Sequence, residues 1–201
     1  MTSTTRKIVV TGPFGAGKST FVATVAAGAP GPHATTETGV SDGTAALKTS
    51  TTVALDHVAL VLDPPPASTW PATTVTLFGT PGQDRFGFMR EVLLQGADAY
   101  AVLVDASRAV SVREAAGIAA DFARLAPAAP RLVAVNRWAD PAGTRAPLAG
   151  LLGVPPQALV ACDPRAAADC RTVLHLLLDG VALTEARRAA AAPAAARGDQ
   201  Q

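Results

Sequence analysis

The stretch GPFGAGKST, residues 12–20, decides the fold class of this chain. It matches the pattern G-x-x-x-x-G-K-[S/T] and follows RKIVV at 6–10, a β-branched run typical of a buried strand. The residues at 17–27 can continue as a helix. This order of strand, glycine-rich turn and helix is the setting in which the pattern binds phosphate groups. The sequence therefore predicts a phosphate-binding loop where the first strand ends; the alternative is an ordinary glycine-rich turn.

The chemistry of the predicted loop follows from its residue types. Glycines let backbone N–H groups turn inward around phosphate oxygens, and the helix that follows presents its positive amino end. Lys18 places an ammonium group at the terminal phosphates of a nucleotide, and Ser19 supplies a hydroxyl ligand for Mg²⁺. The candidate nucleotide-binding residues of this stretch are Gly12, Phe14, Gly15, Ala16, Gly17, Lys18, Ser19 and Thr20.

Strand and helix patterns alternate along the rest of the chain. Strands are predicted at 52–62, 73–79, 99–107, 131–136 and 157–162, and helices within 88–96 and at 110–126, 145–153 and 165–188. The prolines at 64–66 must turn, so that 52–79 forms a hairpin. This alternation predicts an α/β three-layer fold with a mostly parallel sheet of about six strands and one antiparallel edge strand.

The chain reads as one domain over 1–188, followed by a flexible tail at 189–201 that is rich in alanine and then polar. Residues 28–51, rich in Gly, Pro, Thr and Ser, predict a long loop. Ser111 with Glu114 three residues later predicts a capping box for the helix at 110–126.

The composition limits the kinds of binding partner and the cellular compartment that we expect for this chain. The 201 residues carry a net charge of +1, which provides no field to attract nucleic acid or an acidic membrane. Two cysteines without a C-x-x-C pattern argue against a disulfide framework or a zinc site. The sequence shows no signal peptide, no lipidation motif and no apolar run of the ~18 residues that a membrane span needs. We expect a cytoplasmic protein that reaches a membrane, if at all, through a partner.

Further motifs stand in a fixed order along residues 6–180. They are KTSTTVALD at 48–56, TLFGTPGQDRF at 76–86, AVLVDAS at 101–107, VAVNR at 133–137 and LVACDPR at 159–165. Together with the first motif, they resemble the Ras-like branch of P-loop GTPases. Within that branch the chain is most similar to the GTPases of actinobacterial conservons, relatives of the Mgl-type gliding-motility GTPases.

The resemblance implies a guanine-nucleotide switch that hydrolyses GTP slowly with Mg²⁺. It assigns Thr52, with Thr51 as an alternate, to the first switch as a second Mg²⁺ ligand beside Ser19. It assigns the Gly82 N–H to the γ-phosphate and Gln83 to the attacking water, with Lys18 neutralising phosphate charge. The implied partners are a roadblock-type regulator and a sensor-kinase-like protein.

Four positions depart from the usual Ras-like pattern. Gly79 stands where an Asp commonly holds a water on Mg²⁺, and Asp105, which ends an apolar run, is a candidate substitute. Phe14 stands where Gly is common, near the place an arginine finger approaches. In the guanine-reading motif Asn136 fits, Arg137 replaces Lys, and Ala139 takes the place of the reading acid.

The base-reading residues leave alternatives open. Either the chain bulges so that Asp140 reads guanine, or guanine preference is weakened. Cys162 could offer its backbone N–H to the base oxygen, or it is simply a buried thiol. Two alternative functions follow from the departures: a nucleotide-binding regulatory module with little or no hydrolysis, and an ATP-preferring P-loop NTPase.

Overall fold

The computed structural model describes residues 4–28, 36–39, 52–81 and 87–191, with the backbone alone at 36–39, 52–55 and 87–90. The strands are β1 (Thr4–Thr11), β2 (Thr36–Gly39), β3 (Thr52–Leu62), β4 (Thr73–Gly79), β5 (Ala99–Asp105), β6 (Arg131–Asn136) and β7 (Leu159–Ala161). The α-helices are α1 (Lys18–Ala27), α2 (Gly87–Leu94), α3 (Ala109–Leu125), α4 (Pro141–Leu152) and α5 (Ala167–Ala191), and a 3₁₀ turn spans Pro156–Ala158.

The seven strands form one sheet in the order β2-β3-β4-β1-β5-β6-β7. The neighbours from β4 to β7 are parallel, whereas β3 runs antiparallel to both β4 and β2. Central strand β1 lies between β4 and β5. Strand β1 therefore separates the half of the sheet that contains β2–β4 from the half that contains β5–β7.

Helices cover both faces of the sheet, and the strand sequences show why. Ile8 and Val10 of β1 lie in a core with α1 and α5, whereas Val9 lies in a second core with α3 and α4. Strand β5 divides in the same way, with Leu103 on the first face and Tyr100 on the second. Consecutive side chains point to opposite faces, so a strand that is apolar at every position needs helices on both.

The predicted α/β class, the mostly parallel sheet and the 52–79 hairpin are confirmed. The predicted position of the antiparallel strand was wrong, because β2 pairs outside β3 and makes the sheet seven-stranded. The prediction of a long loop over 28–51 was wrong at 36–39, where β2 forms; residues 29–35 and 40–51 lie outside the described residues. A four-residue strand rich in threonine and glycine has too little apolar periodicity to be recognised in the sequence.

Helix starts differ from the predictions where a side chain has another partner. Helix α3 begins at Ala109, and Ser111 does not cap it, because its buried hydroxyl accepts a hydrogen bond from the Asp105 N–H, 3.0 Å away. Helix α4 begins at Pro141 instead of 145, because Asp140 caps it. Helix α5 continues to Ala191, past the predicted end at 188; most of the predicted tail lies outside the described residues.

None of the helices in the described part of the chain is both long and apolar enough to cross a bilayer.

Candidate functional site

The candidate site lies at the carboxyl ends of β1 and β5. The chain leaves β1 through α1 toward the β3–β4 half of the sheet and leaves β5 through α3 toward β6, on the opposite face. In open α/β sheets, a crevice forms at the carboxyl ends of two strands whose connections diverge in this way, and ligands bind there. The loop 12–17 and Asp105 both lie at this edge.

The loop 12–17 follows a path that its glycines permit. Gly12, Gly15 and Gly17 have φ values of 142°, 75° and 110°. A Cβ on Gly12 would lie 2.2 Å from the carbonyl oxygen of Leu103, so β5 and the loop approach each other too closely for a side chain. Gly17 is the residue before α1, and no described side chain caps the amino end of this helix. The first N–H groups of α1 therefore face the loop without a side-chain acceptor.

Lys18 is the buried cation of the site. Its side chain is 6% exposed, and its Nζ donates hydrogen bonds to the carbonyl oxygens of Gly12 and Pro13 at 2.8 and 2.7 Å. These bonds hold the ammonium group inside the curve of the loop. Ala16 is buried beneath the loop, while Phe14, Ser19 and Thr20 are exposed. Phe14 therefore projects from the loop into solvent, with 67% of its surface exposed.

Asn136 joins the end of β6 to the loop. Its amide Nδ2 donates to the Ala16 carbonyl at 3.2 Å, and the side chain is buried. A Cβ on Gly17 would lie 3.4 Å from this nitrogen and 2.7 Å from Cγ of Pro164. The loop 12–17, Asn136 and the segment after β7 are thus brought together as the order of the motifs predicts.

Arg137 and Asp105 form an ion pair beside Asn136. The guanidinium donates to Oδ2 of the fully buried Asp105 at 2.6 Å, and Arg137 takes a left-handed backbone with φ of 51°. Oδ1 accepts from the N–H and hydroxyl of Ser107. Burial acts to raise the pKa of Asp105, but the bonds from Ser107 and Arg137 outweigh it, and the pKa lies below its usual value.

The idea that Asp105 substitutes for an acid at position 79 is therefore wrong for this structure. Both of its oxygens already accept hydrogen bonds from Ser107 and Arg137. The carboxylate anchors Arg137 and the turn that follows β5.

Asp140 has a structural role that the sequence did not reveal. Its Oδ1 accepts from the N–H of Gly143 at 2.9 Å and caps α4. Trp138 packs under the Arg145 guanidinium, 5.0 Å from the ring centre, and donates from Nε1 to Thr144. Ala139 is exposed. The Asp140 carboxylate, which follows the Asn136 motif, therefore already has a hydrogen-bond partner at the amino end of α4.

The expectation that the Cys162 N–H contacts a base was wrong, because this group donates to the Val135 carbonyl at 2.9 Å as part of the sheet. The next N–H, of Asp163, donates to Asp169. The Cys162 side chain is 3% exposed, and the neighbouring thiol of Cys170 together with burial raises its pKa far above the usual value. Cys162 is a neutral, buried thiol.

Gly79 has an acidic neighbour on the adjacent strand. Asp56 is its cross-strand partner, and a Cβ on Gly79 would lie 3.2 Å from Cβ and 3.5 Å from Oδ2 of Asp56. Val22 of α1 lies on the same side, at 3.3 Å. The Asp56 carboxylate thus borders the space that a side chain at 79 would take.

Arg108 is a residue near the loop that the sequence did not single out. It follows β5, and its NH1 lies 3.4 Å from the carbonyl oxygen of Phe14 and 3.0 Å from the place of a Cβ on Gly15. The turn anchored by Asp105 thus sets an exposed guanidinium on the outside of the loop. No motif marks it, since its position depends on how β5 ends.

Several predicted site residues fall outside this description. Gly82 and Gln83 lie outside the described residues, as does Thr51. Thr52 begins β3 and pairs with Gly39, and its side chain is not described. Thr80, which comes shortly before the undescribed residues 82–86, is buried. Its N–H donates to the Val10 carbonyl and its hydroxyl donates to the Thr11 hydroxyl, both at the end of β1. The segment that contains the TLFGTPGQDRF motif therefore passes beside the start of the loop 12–17.

Comparisons with known proteins leave the family open: no protein-family model matches the sequence, and no curated protein matches it at a significant level.

Proposed function

We propose that the chain is a guanine-nucleotide-binding switch of the Ras-like P-loop type, which binds Mg²⁺ with GTP or GDP at the loop 12–17. The observation that carries the proposal is Lys18, buried inside a loop of three left-handed glycines at the carboxyl edge of the sheet. A buried ammonium group beside uncapped helix N–H groups is a setting that favours a polyanion.

The residues present fit Mg²⁺ and a nucleotide. The positive φ values of Gly12, Gly15 and Gly17 give the loop its left-handed path, and Lys18 would neutralise the β- and γ-phosphate oxygens. Ser19, exposed in the first turn of α1, and Thr52 would bind Mg²⁺ through their hydroxyls. Bound Mg²⁺ would bridge phosphate oxygens and neutralise their charge.

The neighbourhood of Gly79 supports Mg²⁺ binding despite the missing Asp. Mg²⁺ keeps several waters in most protein sites, so an outer acid acts on a water and needs no fixed place in the sequence. Asp56 brings a carboxylate to within 3.5 Å of the Cβ position of residue 79, from the neighbouring strand. We propose that Asp56 holds the Mg²⁺-bound water.

Hydrolysis in this proposal is slow and depends on a partner. Gln83 would orient the attacking water and the Gly82 N–H would contact the γ-phosphate, as in the family the motifs resemble. Phe14 is exposed and, in the family the motifs resemble, would lie near the approach of an arginine finger from a partner. The proposed partners are a roadblock-type regulator and a sensor-kinase-like protein of a conservon signalling complex, in the cytoplasm or at a membrane through them.

One observation favours a second candidate, a P-loop NTPase that accepts ATP. Guanine selection in Ras-like proteins depends on an acid after the Asn motif, and here Asp140 caps α4. If its second oxygen does not reach the base, adenine and guanine nucleotides bind alike.

The test is an equilibrium titration of a fluorescent guanine nucleotide with Mg²⁺ into wild-type protein, Lys18→Met and Lys7→Met. We expect Lys18→Met to weaken binding about 100-fold, the size of two charge-assisted hydrogen bonds. Lys7, which lies on β1 and donates to the Gln95 carbonyl, is the matched control and should change nothing. Equal affinity of the folded Lys18→Met protein would refute the site; unfolding temperatures of all three report whether they fold.

A further inference from the structure

A cavity lies at the edge of the sheet opposite the candidate nucleotide site. It has a volume of about 430 Å³ and lies between α3, the carboxyl end of α4 and the amino ends of β5 and β6. Tyr100 and Arg131 belong to its lining and begin these strands, whereas Asp105 and Asn136 end them. At ~3.3 Å per residue the two sites are roughly 17 Å apart. The cavity therefore shares no residue with the nucleotide site.

The walls of the cavity are mostly apolar because α3 presents alanine toward α4. Ala116, Ala120 and Ala123 follow one another at helical spacing on one wall, and Leu151 and Val154 line the other. Small side chains on one helix leave a gap that the opposite helix end does not fill. The volume lies in the ~300–1,000 Å³ range of pockets that hold small organic ligands.

One end of the cavity is polar, and its hydrogen bonding is incomplete. The Tyr100 hydroxyl is buried and, within the described part of the chain, makes no hydrogen bond. Burial raises the pKa of Tyr100, and the charge of Arg131 and a side-chain contact with it oppose that rise, so the guanidinium lies near the hydroxyl although the two do not form a regular hydrogen bond. No described carboxylate pairs with Arg131.

The chemistry of these two groups indicates which kind of ligand atom would bind both of them. A guanidinium is a donor alone, and a buried Tyr hydroxyl needs an acceptor for its proton. Both are satisfied together when an anionic acceptor lies between them, and buried polar groups in native proteins are rarely left without a partner. A planar carboxylate offers two oxygens, one for each donor.

We propose that this cavity is a binding site for a small amphipathic carboxylate, with its apolar chain between α3 and α4 and its carboxylate on Tyr100 and Arg131. Arg131 is exposed, so its side chain can move over the carboxylate as the ligand enters.

The experiment is a titration of the full chain with sodium octanoate, followed by ¹H–¹⁵N NMR spectra. We expect saturable shifts confined to 116–123, 150–154 and the first residues of β5 and β6. The same chain length with another head group is the chemical control: 1-octanol and octylammonium should bind at least tenfold more weakly, since neither offers an anionic acceptor.

Three variants locate the site. Tyr100→Phe and Arg131→Gln should each weaken octanoate binding about tenfold, the size of one charge-assisted hydrogen bond. Ala123→Leu, which fills the gap, should abolish binding. Arg113→Gln, which removes an exposed cation elsewhere on α3, is the matched control and should have no effect. Thermal unfolding of each variant shows whether it is folded.

Four outcomes would overturn the proposal. These are the absence of saturable shifts, equal binding of octanol or octylammonium, affinity that none of the three variants changes, and self-association of the chain that Ala123→Leu abolishes. The last would identify the cavity as a contact between copies. Since octanoate binding is measured without nucleotide, failure here leaves the proposed switch function unaffected, and failure of the switch leaves this site unaffected.

Discussion

The position of one carboxylate bears on how the proposed nucleotide site could lack the usual acid at residue 79. Gly79 offers no side chain, but Asp56 lies opposite it in the β3–β4 pair, with Oδ2 3.5 Å from the absent Cβ. Side chains at directly opposite positions of neighbouring strands lie side by side, so an acid on either strand can reach the same site. Val22, at 3.3 Å from the same point, restricts what else fits there.

We therefore expect Asp56→Asn to raise the Mg²⁺ concentration needed for half-maximal nucleotide binding by about tenfold, since an outer hydrogen bond to a charged group is worth ~1.5–3 kcal/mol. A magnesium titration at fixed fluorescent nucleotide measures this. Asp63→Asn, at an exposed acid after the same strand, is the matched control. An unchanged Mg²⁺ midpoint in Asp56→Asn would show that Asp56 takes no part in metal binding.

At this scale the sequence predicted the glycine-rich loop and the place of Asn136, because both depend on local spacing. It did not predict the Asp56–Gly79 pair, since that register depends on the irregular turn at 63–72. It also gave Cys162 and Asp140 roles at the base, because motif spacing does not show that the Cys162 N–H and the Asp140 carboxylate have backbone partners.

Among the elements, α5 fixes the hairpin turn to the body of the protein. Oδ1 of Asp179 accepts from the Ser68 hydroxyl and from Nε1 of buried Trp70, at 2.7 and 2.8 Å. The Trp70 ring also packs against His175, with centroids 5.7 Å apart. Trp70 thus holds the hairpin that carries Asp56, and its contact within the chain explains why a tryptophan follows three prolines.

This contact makes stability depend on pH. Burial lowers the pKa of His175 below its usual value; Arg171 adds to the lowering and Asp179 opposes it. Between the folded pKa and the unfolded value of about 6.5, the unfolded chain binds more protons, so the free energy of unfolding falls as pH decreases. Chemical denaturation between about pH 8 and 5 should show a slope that His175→Gln reduces.

His57→Gln removes a histidine elsewhere, beside Phe78 on the hairpin, and serves as the control. If the slope below about pH 6.5 is the same in wild type and His175→Gln, the His175 environment does not set the pH dependence.

The elements themselves were largely predictable, since β1, β5 and β6 are short apolar runs, β4 alternates, and α3 has apolar residues at helical spacing. Strand β2 was missed because its four residues pair only through their position outside β3. The start of α4 was missed because Pro141 and Gly143 reduce helical propensity, and the Asp140 cap and Pro at the first turn compensate.

On the scale of the whole molecule, the two edges of one parallel sheet carry different chemistry. The carboxyl edge brings together a buried lysine, left-handed glycines and Asn136, which suits phosphate and base. The amino edge brings together an apolar cavity, Tyr100 and Arg131. Strands β5 and β6 run from one to the other and are the shared rigid elements.

The measurement that tests the central claim most directly is a competition titration. A fluorescent guanine nucleotide bound with Mg²⁺ is displaced by unlabelled GTP, GDP and ATP, in wild type and in Asp140→Ala. The account predicts displacement by GTP and GDP at concentrations at least 100-fold lower than ATP, with the ratio reduced in Asp140→Ala if its second oxygen reads guanine. Equal displacement by ATP would contradict guanine selection, and no binding of the probe would contradict the nucleotide site itself.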